Sequence, residues 1–188
     1  MGKLTVLEYL TLDGVMEAPE TWQFPYLSDE VMDDVRAGLH QLEGLLLGRI
    51  TYEIFAAHWP LQTNNEFGVA DKLNSVPKFV VSSTLEKAEW NNSTLIREDP
   101  IGAISRLKQQ SEGMIGIIGS ATLARSLMQA GLIDEYRLLV HPVVVGSGKR
   151  LFHDGMDTTA LRLVEARTYR TGVVRLTYQP HQNGAAPM

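Results

Sequence analysis

Leu45-Leu46-Leu47-Gly48-Arg49-Ile50-Thr51-Tyr52 is the stretch that decides the fold. Its apolar half, bounded by Gly44 and Gly48, is short and continuous, as in a strand buried on both faces. Beyond Gly48 the spacing turns helical through about Ala57. A buried strand therefore passes through one glycine directly into a helix. Pro77-Lys78-Phe79-Val80-Val81-Ser82 is a second such strand, ending in small polar residues. Met114-Ile115-Gly116-Ile117-Ile118 is a third, followed by Gly119-Ser120 and a helix striped by Leu123, Leu127 and Met128, which Gly131 is placed to end.

Outward from these units, Thr5 to Leu10 reads as a strand broken by the turn Thr11-Leu12-Asp13-Gly14. A loop with Pro19, Trp22 and Pro25 follows. Ser28 then caps a helix predicted over Ser28 to Leu42, with Asp29 and Glu30 at its positive end and Val31, Val35, Leu39 and Leu42 inward. A short helix is expected over Asn65 to Ser75, a weaker strand over Ser93 to Arg97, and a helix opening at Asp99-Pro100. The last third changes to β-rich runs over Glu135 to Val145, Thr159 to Tyr169 and Val173 to Gln179. Arg170-Thr171-Gly172 makes a hairpin of the last two. Alternating units followed by an antiparallel section predict a three-layer α/β/α architecture around a mixed sheet. One domain is expected over residues 1–179, with a frayed tail over 180–188.

A chain of 188 residues suits one domain, against a prior of roughly 150 residues per domain. A net charge of -5 argues against nucleic acid, because phosphate backbones need a basic face. No apolar run approaches the roughly 20 residues of a membrane span, and the start enters a strand pattern without a signal-peptide core. A cytoplasmic protein without membrane partners is the simplest expectation. The absence of cysteine excludes disulfides and thiolate chemistry. His40, His58, His141, His153 and His181 lie too far apart for paired ligands on one helix, so no metal is expected.

In open α/β sheets, ligands bind beyond the carboxyl ends of the strands. Gly48-Arg49-Ile50-Thr51 offers helix-start amides, a hydroxyl and a guanidinium for phosphate; a plain turn with a solvated arginine is the other reading. Ser82-Ser83-Thr84 is either a polar ligand edge or a loop. Gly119-Ser120-Ala121-Thr122 is either a close-approach cradle or a helix cap. Three such groups at strand ends point jointly to a phosphate-bearing ligand. Asp13 is the first choice for a proton-handling or substrate-orienting carboxylate, against an ordinary Asx turn. Glu8 shares the crevice only if its strand face is the right one. Trp22 and Phe24 offer flat walls for a heteroaromatic ring, or pack on the core. His58 lines a pocket or lies outside it. Tyr52, Phe55 and Trp59 sit at packing spacing, and Gly146-Ser147-Gly148-Lys149 reads as a bend.

Thr11-Leu12-Asp13-Gly14, Leu46 to Glu53, Ile118-Gly119-Ser120, Asp134 to Arg137 and His141 to Phe152 together resemble the dihydrofolate reductase fold. They are especially similar to the reductase domain of bifunctional riboflavin-biosynthesis proteins and its stand-alone bacterial relatives, over about residues 3–179. The resemblance implies NADPH across the strand ends. Arg49 would meet the adenosine phosphate and Thr51 the pyrophosphate, and Ser82 and Ser83 would flank the adenine-ribose end. Gly119, Ser120, Ala121 and Thr122 would cradle phosphate. It also implies a homodimer and hydride transfer to a small heterocycle, such as the ribosylaminopyrimidine of riboflavin biosynthesis. Dihydrofolate reduction and NADPH binding without turnover are the alternatives. Two departures stand out. The acidic residues Asp29 and Glu30 fall later than the acid after a dihydrofolate reductase Trp…Pro loop. Gly14 to Leu27 contains no arginine or lysine, where riboflavin-type reductases hold a ribose phosphate.

Overall fold

The computed structural model describes residues 1–62 and 64–181. β1 (Lys3–Thr11), β2 (Leu42–Gly48), β3 (Lys78–Val81), β4 (Ser93–Ile96), β5 (Met114–Ile118) and β6 (Glu135–His141) run parallel. β8 (Val174–Pro180) joins β6 antiparallel, and β7 (Leu161–Thr168) closes the edge. The order is β4-β3-β2-β5-β1-β6-β8-β7. α1 (Asp29–His40), α2 (Arg49–His58), α3 (Ala70–Ser75), α4 (Pro100–Gln110) and α5 (Ala121–Gln129) connect the strands. This is the mixed-sheet α/β fold expected from the alternating pattern.

Strand periodicity sorts the apolar residues to two faces. Leu4, Val6 and Leu10 of β1, with Ile115, Ile117 and Leu138, bury against Ile104 of α4 and Ala124 and Leu127 of α5. Leu45, Leu47 and Val80 bury on the opposite face with Tyr52 of α2 and Leu73 of α3. Val31 of α1 packs on that side with Leu139, Tyr169 and Val173. Each large side chain so buried contributes about 1.5–3 kcal/mol, which is why the sheet is covered on both faces.

Several boundaries differ from expectation, each for a local reason. α1 stops at His40 because Leu42 is already paired with Met114 in the sheet. The helix expected over Asn65 to Ser75 starts only at Ala70; Asn65, Phe67 and Gly68 hold positive φ before it. β6 ends at His141, and the chain then folds back toward Asp13. The hairpin closes as anticipated, with Tyr169 N–H donating to Val173 O and Gly172 at φ 86°. The expected fraying from residue 180 is corrected at its first two positions. Pro180 belongs to β8, and His181 N–H donates to Ala160 O. Residues 182–188 lie outside the described residues.

Two charged groups lock this frame. Lys78 is fully buried inside β3, where its ammonium donates to the carbonyls of Asn74, Val76 and Asn91 and lies 4.2 Å from the Trp90 ring centroid. Burial pushes it down to about 8, while three carbonyl acceptors match its three protons. Asp34 of α1, its side chain 8% exposed, accepts from Arg167 of β7 and Arg175 of β8. It ties the first helix to the antiparallel edge.

Asp34→Ala should leave the Arg175 guanidinium without its inward partner and cost about 3 kcal/mol. Urea unfolding should show a lower midpoint at unchanged slope; a change in slope instead would mean that the denatured state was altered.

Candidate active site

β2 and β5 are neighbours, yet α2 and α5 leave them for opposite faces of the sheet. That divergence opens a crevice beyond the carboxyl ends of the strands, a topological switch point. The residues lining it are bound to one another. Ser120 Oγ accepts from Gly48 N–H at 2.8 Å and donates to Thr51 Oγ1 at 3.0 Å, while Ser120 N–H donates to the same Thr51 oxygen at 3.0 Å. The expectation that Ser120 caps its own helix is thus corrected: it occupies the N-cap position, but its hydroxyl is used across the sheet.

Gly119 and Ser120 both hold left-handed backbone, at φ 62° and 60°. A Cβ on Gly119 would meet Thr51 at 2.9 Å, so only glycine lets the two turns close. Neither α2 nor α5 has a side-chain cap, which leaves both helix starts with N–H groups for an anion. Ala121 is buried under this turn and Thr122 is exposed beside it. The donor set fits a phosphate-bearing cofactor.

The other residues singled out in the sequence fall out as follows. Arg49 is exposed at the start of α2 and paired with Glu53 at 2.9 Å. Ser82 sits one residue past Val81, the register partner of Gly48, but its hydroxyl accepts from the Thr84 and Leu85 amides. It closes a turn, and exposed Ser83 stands beside it. His58 lies at the far end of α2, about 15 Å from the helix start, and is bonded to Glu66. Tyr52 is core, its hydroxyl accepting from Trp90 N–H.

Trp22 is buried, donates from Nε1 to Glu17 O, and sets its ring edge-on to His141. Its 7% exposure favours packing, the second of the two readings the sequence leaves open for it. Phe24 remains exposed. On the α1/α2 face, Leu7, Tyr9, Ile118, Tyr26, Leu27 and Val35 are only half-buried. This half-covered apolar surface lies over the ends of β1 and β5. Burial pushes the Tyr9 hydroxyl up to about 12.

Sequence reasoning passed over His141 as anything but a metal ligand. It is fully buried under this surface among Tyr9, Trp22 and Tyr26. Both contacts of Nδ1 are carbonyls, Leu139 O at 3.0 Å and Leu10 O at 3.3 Å, so the proton is assigned to Nδ1. Burial lowers its pKa, and Nε2 is left without a partner among the described residues.

Asp13 lies at the end of β1, and its carboxylate accepts from Thr11 Oγ1, Val145 N–H and Gly146 N–H, with Arg150 3.6 Å away. The Thr11 hydroxyl, followed by the two loop amides, holds its carboxyl below the usual range. Arg150 also donates to Asp13 O, and Met16 N–H donates to Lys149 O. The glycine-rich loop is thus the bend expected, and it carries Lys149 and Arg150 back onto residues 13–17. Glu8 is buried on the α4/α5 face with Leu4, Val6 and Leu10, the side away from Tyr9. Among the described residues, no cluster of His, Asp or Glu is placed to hold a metal, and no helix is long and apolar enough to cross a membrane.

The fold is dihydrofolate-reductase-like. The dihydrofolate reductase of Enterococcus faecalis, solved in complex with NADP(H), superposes with a TM-score of 0.65 at 16% identity, over 96% of this chain and 97% of that one. The RibD protein of Acinetobacter baumannii matches with a TM-score of 0.69 at 15% identity, over 97% of this chain and 59% of that one. A pyrimidine reductase-like protein of Corynebacterium diphtheriae gives 0.66 at 13% identity, over 96% and 92%. The RibD C-terminal domain model matches residues 3–175, and the chain belongs to that family. Among its relatives is YyaP of Bacillus subtilis, 32% identical over 151 residues, which are 78% of this chain and 77% of that protein. YwjB of the same organism is 32% identical over 132 residues, 70% and 71% of the two chains.

Two outcomes test this geometry. Gly119→Ala should cost about 2 kcal/mol through left-handed strain and the Thr51 contact, lowering the melting temperature by roughly 4–8 °C. For Asp13 the lowered pKa fixes the sign: its support of the loop is present above the unfolded carboxylate value and is lost as pH falls through the folded one. Exchange protection at Val145 and Gly146 should therefore fall in acid, and Asp13→Asn should reduce it at neutral pH. Equal protection in that variant would show the loop to be held by other contacts.

Proposed function

We propose that this protein is an NADPH-dependent reductase of a small heterocyclic substrate. The observation that carries the reading is the joining of two uncapped helix starts through Gly48, Thr51, Gly119 and Ser120 at the switch point. Ala121 and Thr122 extend the phosphate cradle along α5. Arg49 turns from Glu53 to the 2′-phosphate, a dianion that suits its planar fork better than one carboxylate does. Ser82 shapes the turn at the adenosine end, and Ser83 is the free hydroxyl there. Bound NADPH would supply a hydride from the nicotinamide C4 to the carbon of a C=N or C=O bond, whose nitrogen or oxygen would take its proton from solvent at the open rim. The chain's own part is to orient that bond against the half-buried surface of Leu7, Tyr9 and Ile118, with Phe24 at its rim.

Asp13 keeps a place in this reading with an altered task. An ionised carboxylate satisfied by backbone amides orients the loop above the strand ends and is a poor proton donor at neutral pH. The working form in this reading is a cytoplasmic homodimer, which the open β7 edge, exposing Leu163 and Val164, supports.

A phosphoribosyl substrate is a second reading, favoured by one observation. Lys149 and Arg150, folded back onto residues 13–17, supply the basic charge that Gly14 to Leu27 lacks.

Thermal shifts with NADPH, NADH, folate and pyrimidine ribosides rank the ligands, since binding to the folded state alone raises stability with the logarithm of affinity. Arg49→Ala should weaken NADPH about tenfold or more and leave NADH nearly unchanged, an effect of about 1.4 kcal/mol. An unchanged NADPH affinity would remove the 2′-phosphate assignment. Turnover of a 5-phosphoribosylaminopyrimidine that fails in Arg150→Ala would establish the second reading.

A further inference from the structure

Glu8 is the group the proposed reaction leaves unused. It stands in the middle of β1, the strand flanked by β5 and β6, and is 6% exposed. Its neighbours on that face, Leu4, Val6, Leu10, Leu138 and the start of α5, are apolar. Oε1 has no hydrogen-bond partner among the described residues. Gly119 lies beside it, one residue past Ile118, the register partner of Leu7, and its backbone N–H bears on the carboxyl. A carboxyl in an apolar core is costly unless neutral or paired, and among the described residues no cation pairs with it.

The charged and titratable groups of the surrounding elements are engaged elsewhere. Arg125 of α5 donates to Ala121 O and Thr122 Oγ1 of its own helix. Lys108 of α4 is paired with Asp134 at the opposite end of β1. Arg150 serves Asp13, and Lys149 faces Glu17. Tyr136 of β6 shares the face as a buried phenol. No charged side chain contributes to the state of Glu8, which is set by burial and then by the Gly119 amide. Burial raises its pKa well above that of an ordinary glutamate.

We propose that Glu8 is a positioning residue for the phosphate cradle: a buried carboxyl packed beneath the Gly119–Ser120 turn that holds it in its ligand-ready shape. The inference rests on the cofactor reading above. Gly119 and Ser120 both hold left-handed backbone, and such a turn persists only where its surroundings over-determine it. Ser120 and Thr51 fix it from one side, and Glu8 meets it from beneath. If Glu8 ionises, a negative charge arises in an apolar core next to the turn that receives the phosphates. Ionisation then opposes folding and ligand binding together.

The sign follows from linkage. A carboxyl whose folded pKa is raised binds its proton more tightly in the folded state, so stability falls as pH rises from the unfolded value through the folded one. Phosphate binding next to it favours the protonated form, so affinity falls over the same rise.

The test uses the full chain, its Glu8→Gln variant and NADPH as the probe, across the neutral and alkaline range, since burial raises the carboxyl's pKa. Glutamine has the shape of the protonated acid without its proton. Wild-type NADPH affinity should weaken with pH by up to tenfold per unit once Glu8 begins to ionise, and the glutamine variant should bind tightly with a flatter profile. The ligand-free melting temperature should decline with pH in the wild type and less in the variant. Parallel affinity profiles in the two proteins overturn the proposal and leave the cofactor reading intact. Absence of NADPH binding in both at every pH overturns the cofactor reading and the cradle role with it; the ligand-free melts still report whether Glu8 carries a proton. Equal melting profiles overturn the proposal whatever NADPH does. A glutamine variant that loses affinity at low pH also sinks it, since the protonated acid and the amide are alike in shape and charge.

Discussion

The crevice depends on one hydroxyl. Ser120 accepts from Gly48 N–H and donates to Thr51, joining turns that are 72 and 69 residues apart in sequence. α2 and α5 leave on opposite faces, so this small cluster ties both helical layers to each other across the strand ends. A net hydrogen bond contributes only about 1 kcal/mol. Its weight here is geometric, since it sets how far apart two uncapped helix starts lie. The glycine at 119 follows from the same constraint, because any Cβ would push Thr51 away.

The clasp explains which parts of the molecule were legible in advance. Period and punctuation identified β2, β3 and β5 correctly, because strands buried on both faces leave short apolar runs between breaks, glycine for β2 and β5 and proline and serine for β3. The antiparallel end was equally plain, since Gly172 must turn it. Gly48, Thr51, Gly119 and Ser120 were found as separate turn signals, yet nothing local said that they touch. Sheet order decides that, and sheet order is a property of the whole chain. The use of Ser120 was misjudged for the same reason: N-capping is the local habit of a serine there, and the partner that captured it is far away in sequence.

The misreadings are side chains whose chemistry is hidden by burial. Lys78 in an apolar strand is unreadable until three carbonyls close around it. Trp22 and His141 belong to one buried aromatic group, although 119 positions separate them. The basic charge missing from Gly14 to Leu27 returns through Lys149 and Arg150, because Asp13 anchors a loop that begins after β6.

β1 carries the two halves of the site on its two sides. Alternation sends Glu8 toward α5 and the underside of the Gly119 turn, and sends Leu7 and Tyr9 toward the half-covered apolar surface. The strand end then gives Thr11 and Asp13 to the loop above. A change in the protonation or packing of one face is therefore one backbone residue from the other. Tyr9 and the Gly119 turn stay on separate faces only while β1 keeps its register with β5. The parallel pairing of Leu7 with Ile118 holds that register, next to the glycine on which the clasp closes.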